Sequence, residues 1–87
     1  MKFSLGKVVI TRGTLESIDK EAVVRGLHRH ASGDWGDVCA GDKALNDQAL
    51  VEGTRLFSAY HANDRVKFWI ITEWDRSLTT VLLPDEY

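Results

Sequence analysis

A second cysteine is the most informative thing this chain lacks. Cys39 stands alone in 87 residues, so no intramolecular disulfide can form and no Cys-x-x-Cys spacing exists from which to build a zinc site. A reducing compartment, the cytoplasm, is the expected address. Long apolar runs are also missing. The opening Met1-Lys2-Phe3-Ser4-Leu5-Gly6-Lys7 has no uninterrupted stretch of the signal-peptide kind, and no segment approaches the ~20 apolar residues that cross a bilayer. Neither export nor a membrane partner is expected. Positive charge is in slight deficit: the net charge of −2 argues against a general nucleic-acid binder, whose affinity comes from Lys and Arg neutralising phosphates. Glycine-rich phosphate loops, a Ser-His-Asp order and His-Glu-x-x-His are all missing. No cofactor, metal or catalytic residue is therefore expected, and binding is favoured over catalysis.

What is present is the composition of one folded domain. The apolar fraction of 44%, the charged fraction of 28% and the three tryptophans are ordinary for a globular protein and argue against disorder. A chain of this length buries roughly 60 to 65% of its unfolded surface, enough for a single core, so residues 1–87 are read as one domain. Charge is unevenly spread. Residues 1–30 hold six Lys/Arg against three acids, whereas residues 31–53 hold Asp34, Asp37, Asp42, Asp47 and Glu52 against Lys43 alone.

Periodicity sets the expected elements. Phe3 to Thr11, with the β-branched run Val8-Val9-Ile10, reads as a strand ended by Arg12-Gly13. Thr14 is placed to cap a short helical turn. Asp19 is placed to cap a second helix through Val23, Val24, Leu27 and Ala31, which stops at Gly33-Asp34-Trp35-Gly36. Within it Gly26 costs up to ~1 kcal/mol relative to Ala unless it permits close packing. A third helix is expected from about Asp42 to Glu52, with Gly53 just past its end. Leu56 to His61, Arg65 to Glu73 and Thr79 to Leu83 read as three consecutive antiparallel strands, with turns at Asn63-Asp64 and Asp75-Arg76-Ser77. The expected fold is α+β: an antiparallel sheet of about four strands, in the order β-α-α-α-β-β-β, with short helices packed on one face.

Alternation puts Val66, Phe68, Ile70 and Thr72 on one face of the middle strand and Lys67, Trp69, Ile71 and Glu73 on the other. Both faces are apolar at their centres, and the helices can cover one. Either Trp35 or the final Pro84-Asp85-Glu86-Tyr87 folds across Trp69 and Ile71, or that face meets a partner, a second copy of the chain included.

Side chains able to do chemistry are sparse. His28 and His30, two apart on a helix, point about 200° from each other, so the pair is read as surface histidines beside Arg25 and Arg29, and Cys39 as a packing residue. Glu73, Asp75 and Arg76 crowd one turn; a local hairpin network, with Arg76 screening the acids, is favoured over an acid–base site. Asp34, Asp37, Asp42 and Asp47 are either a solvated helix face or a line of charge that imitates phosphates and fits a basic groove. Asp37 and Asp42 also stand where a helix N-terminus favours carboxylates.

Phe3-Ser4-Leu5-Gly6, Arg29-His30 with Gly33-Asp34-Trp35-Gly36-Asp37, and the ending Trp69-Ile70-Ile71-Thr72-Glu73, Asp75-Arg76-Ser77, Thr79-Thr80, Leu82-Leu83-Pro84 and Tyr87 resemble a family of short, mostly uncharacterised proteins. That family is carried on plasmids, integrative elements and phages and is often labelled plasmid-related. The similarity spans nearly the whole chain. It implies a genetic setting rather than a reaction, and a protein partner in the form of a host defence complex, with anti-CRISPR inhibition the sharpest version. A regulatory accessory of plasmid or phage maintenance is the alternative, and a small enzyme or nuclease inhibitor built on Glu73, Asp75 and Arg76 comes third. The surfaces such a binder would use are Asp34, Trp35, Asp37, Asp42 and Asp47, together with Trp69, Ile71, Glu73, Asp75 and Arg76.

Overall fold

The computed structural model describes residues 1–62 and 66–87, so the turn expected at Asn63-Asp64 lies outside the described residues. Strand β1 spans Lys7–Ile10, and helices α1, α2 and α3 span Arg12–Ser17, Lys20–Ala31 and Ala40–Glu52. Strands β2, β3 and β4 span Leu56–His61, Lys67–Thr72 and Leu78–Leu82, and a closing 3₁₀ turn covers Pro84–Glu86. The class is α+β, as expected.

The sheet is mixed rather than antiparallel. Its order is β1-β4-β3-β2: β2 with β3 and β3 with β4 are antiparallel, but β1 runs parallel to β4, with Lys7 opposite Leu78 and Ile10 opposite Val81. Hairpin connections force antiparallel neighbours among β2, β3 and β4. The long crossover between β1 and β4 lifts that constraint and lets the first strand enter in the other direction.

Two local expectations also change. The first strand is shorter than Phe3–Thr11, because Gly6 adopts a left-handed backbone (φ 63°) and Phe3 turns inward against His30 and Trp35. The cap of α1 is Thr11, whose hydroxyl accepts from the Thr14 backbone N–H. Thr14 itself is fully buried, its hydroxyl 2.8 Å from that of Thr11. Helix α3 starts two residues before Asp42, placing that carboxylate in its positively polarised first turn. It ends as expected at Gly53, which is left-handed and donates to Ala49 O.

Leu56, Ser58 and Tyr60 on β2, Phe68, Ile70 and Thr72 on β3, and Thr79 and Val81 on β4 share one sheet face by register, and all are buried. Ile18, Ala22 and Val23 join Tyr60, Phe68, Ile70 and Val81 in the main core, while Trp35, Ala49 and Leu56 form a second cluster beside Phe3, Val38 and Leu50. Gly26 resolves in favour of packing: a Cβ there would lie 2.9 Å from Phe68 Cε2 and 3.2 Å from Ile70 Cδ1. Gly26→Ala is therefore expected to destabilise by about 1 kcal/mol or more despite its better helix propensity. A thermal melt checks this, and a raised midpoint would show that the interface yields.

The outer edge of β2 is covered by the loop after α2. Ala59 N–H donates to Trp35 O (3.1 Å) and Asp37 N–H to Ala59 O (2.7 Å), a parallel bridge centred on Gly36. Gly36 has φ 77°, and a Cβ would collide with Ala59 O and the Tyr60 ring, so only glycine fits this approach. The α3 side chain Asn46 adds a second tie to the same strand. Its amide donates to Phe57 O (2.6 Å) and accepts from Phe57 N–H (3.0 Å), which is the pairing another strand would make.

Candidate functional site

Trp35 is the centre around which the acidic segment is arranged, and it is not a surface residue. It is 3% exposed, offset over Phe3 at 6.3 Å between ring centroids and edge-on to His30 at 5.7 Å. The turns at Gly33 and Gly36, both left-handed, swing it inward, and it offers no surface to a partner.

The carboxylates that flank it stay outside, each held differently. Asp34 takes a two-point ion pair from Arg29 (2.7 and 3.2 Å) and accepts from Gly36 N–H. Arg29 and the nearby Lys43 hold its carboxyl below the usual range. Asp47 accepts from Trp35 Nε1–H at 3.0 Å. The Asp37 carboxylate lies 3.7 Å from His61 Nδ1. Asp42 is exposed on the first turn of α3. Asp34 and Asp37 sit one and two residues from the Trp35 pivot, and Asp47 sits on its indole. Asp34 and Asp47 thus have structural tasks that neither the solvated-face nor the phosphate-mimic reading of the sequence assigned to them.

The turn at Glu73-Trp74-Asp75-Arg76-Ser77 is a local network, as favoured, but Arg76 does something other than screen acids. Its guanidinium donates to four carbonyls: Thr54 (2.6 Å), Ala49 (3.0 Å), Glu73 (3.1 Å) and Trp74 (3.3 Å). Ala49 and Thr54 bracket the C-terminal end of α3, where a cation meets the negative pole of the helix. The cation also lies over the Phe3 ring at 5.7 Å. Arg76 accepts a left-handed backbone (φ 61°) to make this reach. Asp75 accepts from both Ser77 N–H and Ser77 Oγ–H, which holds its carboxyl low. With Arg76 engaged on backbone and Asp75 in open solvent, Glu73, Asp75 and Arg76 assemble no acid–base pair.

Trp69 is half-buried, edge-on to Phe57 (5.1 Å) and to Tyr87 (5.9 Å), while Ile71 beneath is 4% exposed. Of the two coverings considered for this face, the C-terminal one is present. Tyr87 lies on Trp69 and accepts from Arg55 at 2.6 Å. Glu86 anchors the segment by accepting from Thr11 Oγ1–H, Gly13 N–H and Leu83 N–H.

His30 is the residue that sequence reading missed. It is fully buried, whereas His28 is exposed. The signal was the stripe Ala22-Val23, Gly26, His30 at helical spacing. Its Nδ1 lies 2.5 Å from Ser58 Oγ and its Nε2 2.8 Å from Thr72 Oγ1; Thr72 Oγ1 is 2.7 Å from Thr79 Oγ1, which donates to Leu5 O at 2.6 Å. Those bonds fix every proton. Thr79 gives its hydrogen to Leu5, so Thr72 must donate to Thr79 and therefore accept from His30 Nε2–H. Nδ1 of the neutral ring then accepts from Ser58. Burial, aided by the Arg76 charge, lowers the His30 pKa to about 4, in keeping with that neutral form. A serine on an imidazole is a nucleophile–base geometry in an open site. Here both groups are fully buried and the far nitrogen meets a threonine rather than a carboxylate, so the chain of hydroxyls joins α2, the sheet and the N-terminal segment.

Among the described residues no helix is long and apolar enough to cross a membrane, and no group of three or more His, Cys, Asp or Glu is arranged to hold a metal ion. Comparison with protein-family models, curated proteins and solved structures finds no match.

Proposed function

We propose that this chain is a small accessory protein of mobile genetic elements that acts by binding another protein, and that it inhibits a host defence complex in the manner of an anti-CRISPR protein. The genetic setting comes from the family resemblance. The observation that carries the binding mode is the fixed placement of carboxylates about Trp35, with Asp34 locked by Arg29, Asp47 locked by the indole, and the Asp37 backbone pinned to β2. Charges held in place lose little entropy on association and favour a partner with a basic groove.

Asp34 and Asp47 support the fold, so the test uses Asp37, whose carboxylate stands 3.7 Å from the exposed His61 ring, and Asp42, exposed on the first turn of α3. D37K/D42K is expected to keep its circular dichroism spectrum and a cooperative melt, its midpoint lowered modestly by a cation on the first turn of α3, while losing tenfold or more in affinity for a purified CRISPR effector complex, about 1.4 kcal/mol or more. A folded double variant that inhibits as well as the parent would remove this reading.

A further inference from the structure

The apex of the β3–β4 hairpin carries Trp74, 66% exposed, between the carboxylates of Glu73 and Asp75. The turn beneath it is rigid. Arg76 binds the Glu73 and Trp74 carbonyls while anchored on Ala49 and Thr54, and Asp75 closes on Ser77. A large aromatic held out on a preorganised turn is the form that interface anchors take.

At the same end of the molecule lies an apolar groove of about 410 Å³ lined by Leu5, Val24, Leu27, His28 and Ala31. Val24 is 45% exposed within it. The two features are neighbours: Leu5 accepts from Thr79, and Gly6 packs on the Arg76 and Ser77 backbone. Basic groups border the groove. His28 lines it, Lys20 stands one turn before Val24 on the same helix face, and the Lys2 side chain lies over Gly33, next to the lining residue Ser32. The acidic rim of Trp74 thus matches a basic rim around a slot roomy enough for an indole, whose cover removes roughly 150–250 Å² from water.

Trp74 stands outside its own groove, exposed to solvent. We infer that the occupant is a second copy of this chain: a two-fold dimer in which each Trp74 enters the Leu5–Val24–Leu27 groove of the other. Tip and groove adjacent on one end are what reciprocal exchange about a single axis requires. The groove takes none of its lining from the acidic segment that holds Asp37 and Asp42.

Sedimentation velocity over a concentration series tests it. The parent is expected to pass from monomer to dimer with rising concentration, less readily at high salt because the rim charges are screened. W74A and V24E, each monitored for an unchanged circular dichroism spectrum, are expected to remain monomeric. Mixed together they regain association, since W74A keeps its groove and V24E keeps its tryptophan, giving one sound contact per pair where neither homodimer has any. A parent that is monomeric up to roughly 1 mM, a dimer indifferent to W74A, or a mixture that stays monomeric would each overturn the inference.

Discussion

His30→Ala is expected to lower unfolding free energy by roughly 3–5 kcal/mol, a large share of the ~5–15 kcal/mol a domain possesses. The loss has two parts. The Ser58 and Thr72 hydroxyls each lose the ring nitrogen they bond, at 0% exposure where water cannot replace it, and the space between Phe3 and Trp35 is left void. His30→Gln keeps one donor and one acceptor and is expected to recover part of the loss. Equal values for the two variants in guanidinium titrations would mean that the amide restores neither bond, and would count against the hydrogen-bond part of the loss. The same residue sets an acid limit. The ring stays neutral in the fold down to about pH 4, while the unfolded chain takes up its proton near the ordinary 6.5. Between those values the unfolded state binds more protons, so stability is complete above pH 6.5 and falls as pH drops through the window, by roughly 3 kcal/mol in all. His30→Gln should be flat there. Asp34, Asp75 and Glu86, whose carboxyl pKa values are held low, contribute losses only at lower pH.

Arg76→Ala carries the second large expected effect, a destabilisation of about 2–4 kcal/mol. One guanidinium joins the β3–β4 turn to the end of α3 through four carbonyls, and hydrogen bonds from a charged group are each stronger than neutral ones. The backbone sharpens the test. Alanine at φ 61° retains the left-handed strain that glycine lacks, so Arg76→Gly should be the milder change by about 1 kcal/mol although it removes the same side chain. If glycine were as harmful as alanine in thermal melts, the left-handed backbone would not matter at this position. Arg76→Lys offers one ammonium where a planar fork reaches both Ala49 and Thr54, and should recover only part of the loss.

Where the sequence spoke through local chemistry it was readable. The six residues of β2 have the expected bounds and α3 ends at Gly53, because strand propensity and a left-handed glycine act within a few positions; Asp19 stands at the N-cap position of α2, but its side chain makes no cap hydrogen bond. Direction and burial were not readable in the same way. Nothing in Lys7–Ile10 states that it will lie parallel to β4; that follows from the path of three helices. Trp35 and His30 looked like surface groups beside Asp34 and Arg29, since neighbours in sequence alternate between outside and inside at every turn. Their burial depends on partners at Asp47, Ser58 and Thr72, far along the chain. The acidic segment was visible as composition, but which of its carboxylates are structural depended on those same distant partners.

The parallel pairing of β1 with β4 has a consequence in time. Thr79 and Leu5, 74 positions apart, must meet before the first strand has any place in the sheet, whereas β2, β3 and β4 find one another through short connections. Loop closure makes distant contacts late and near ones early. On a ribosome, β1 therefore waits with its apolar Val8, Val9 and Ile10 unpaired until β4 has emerged.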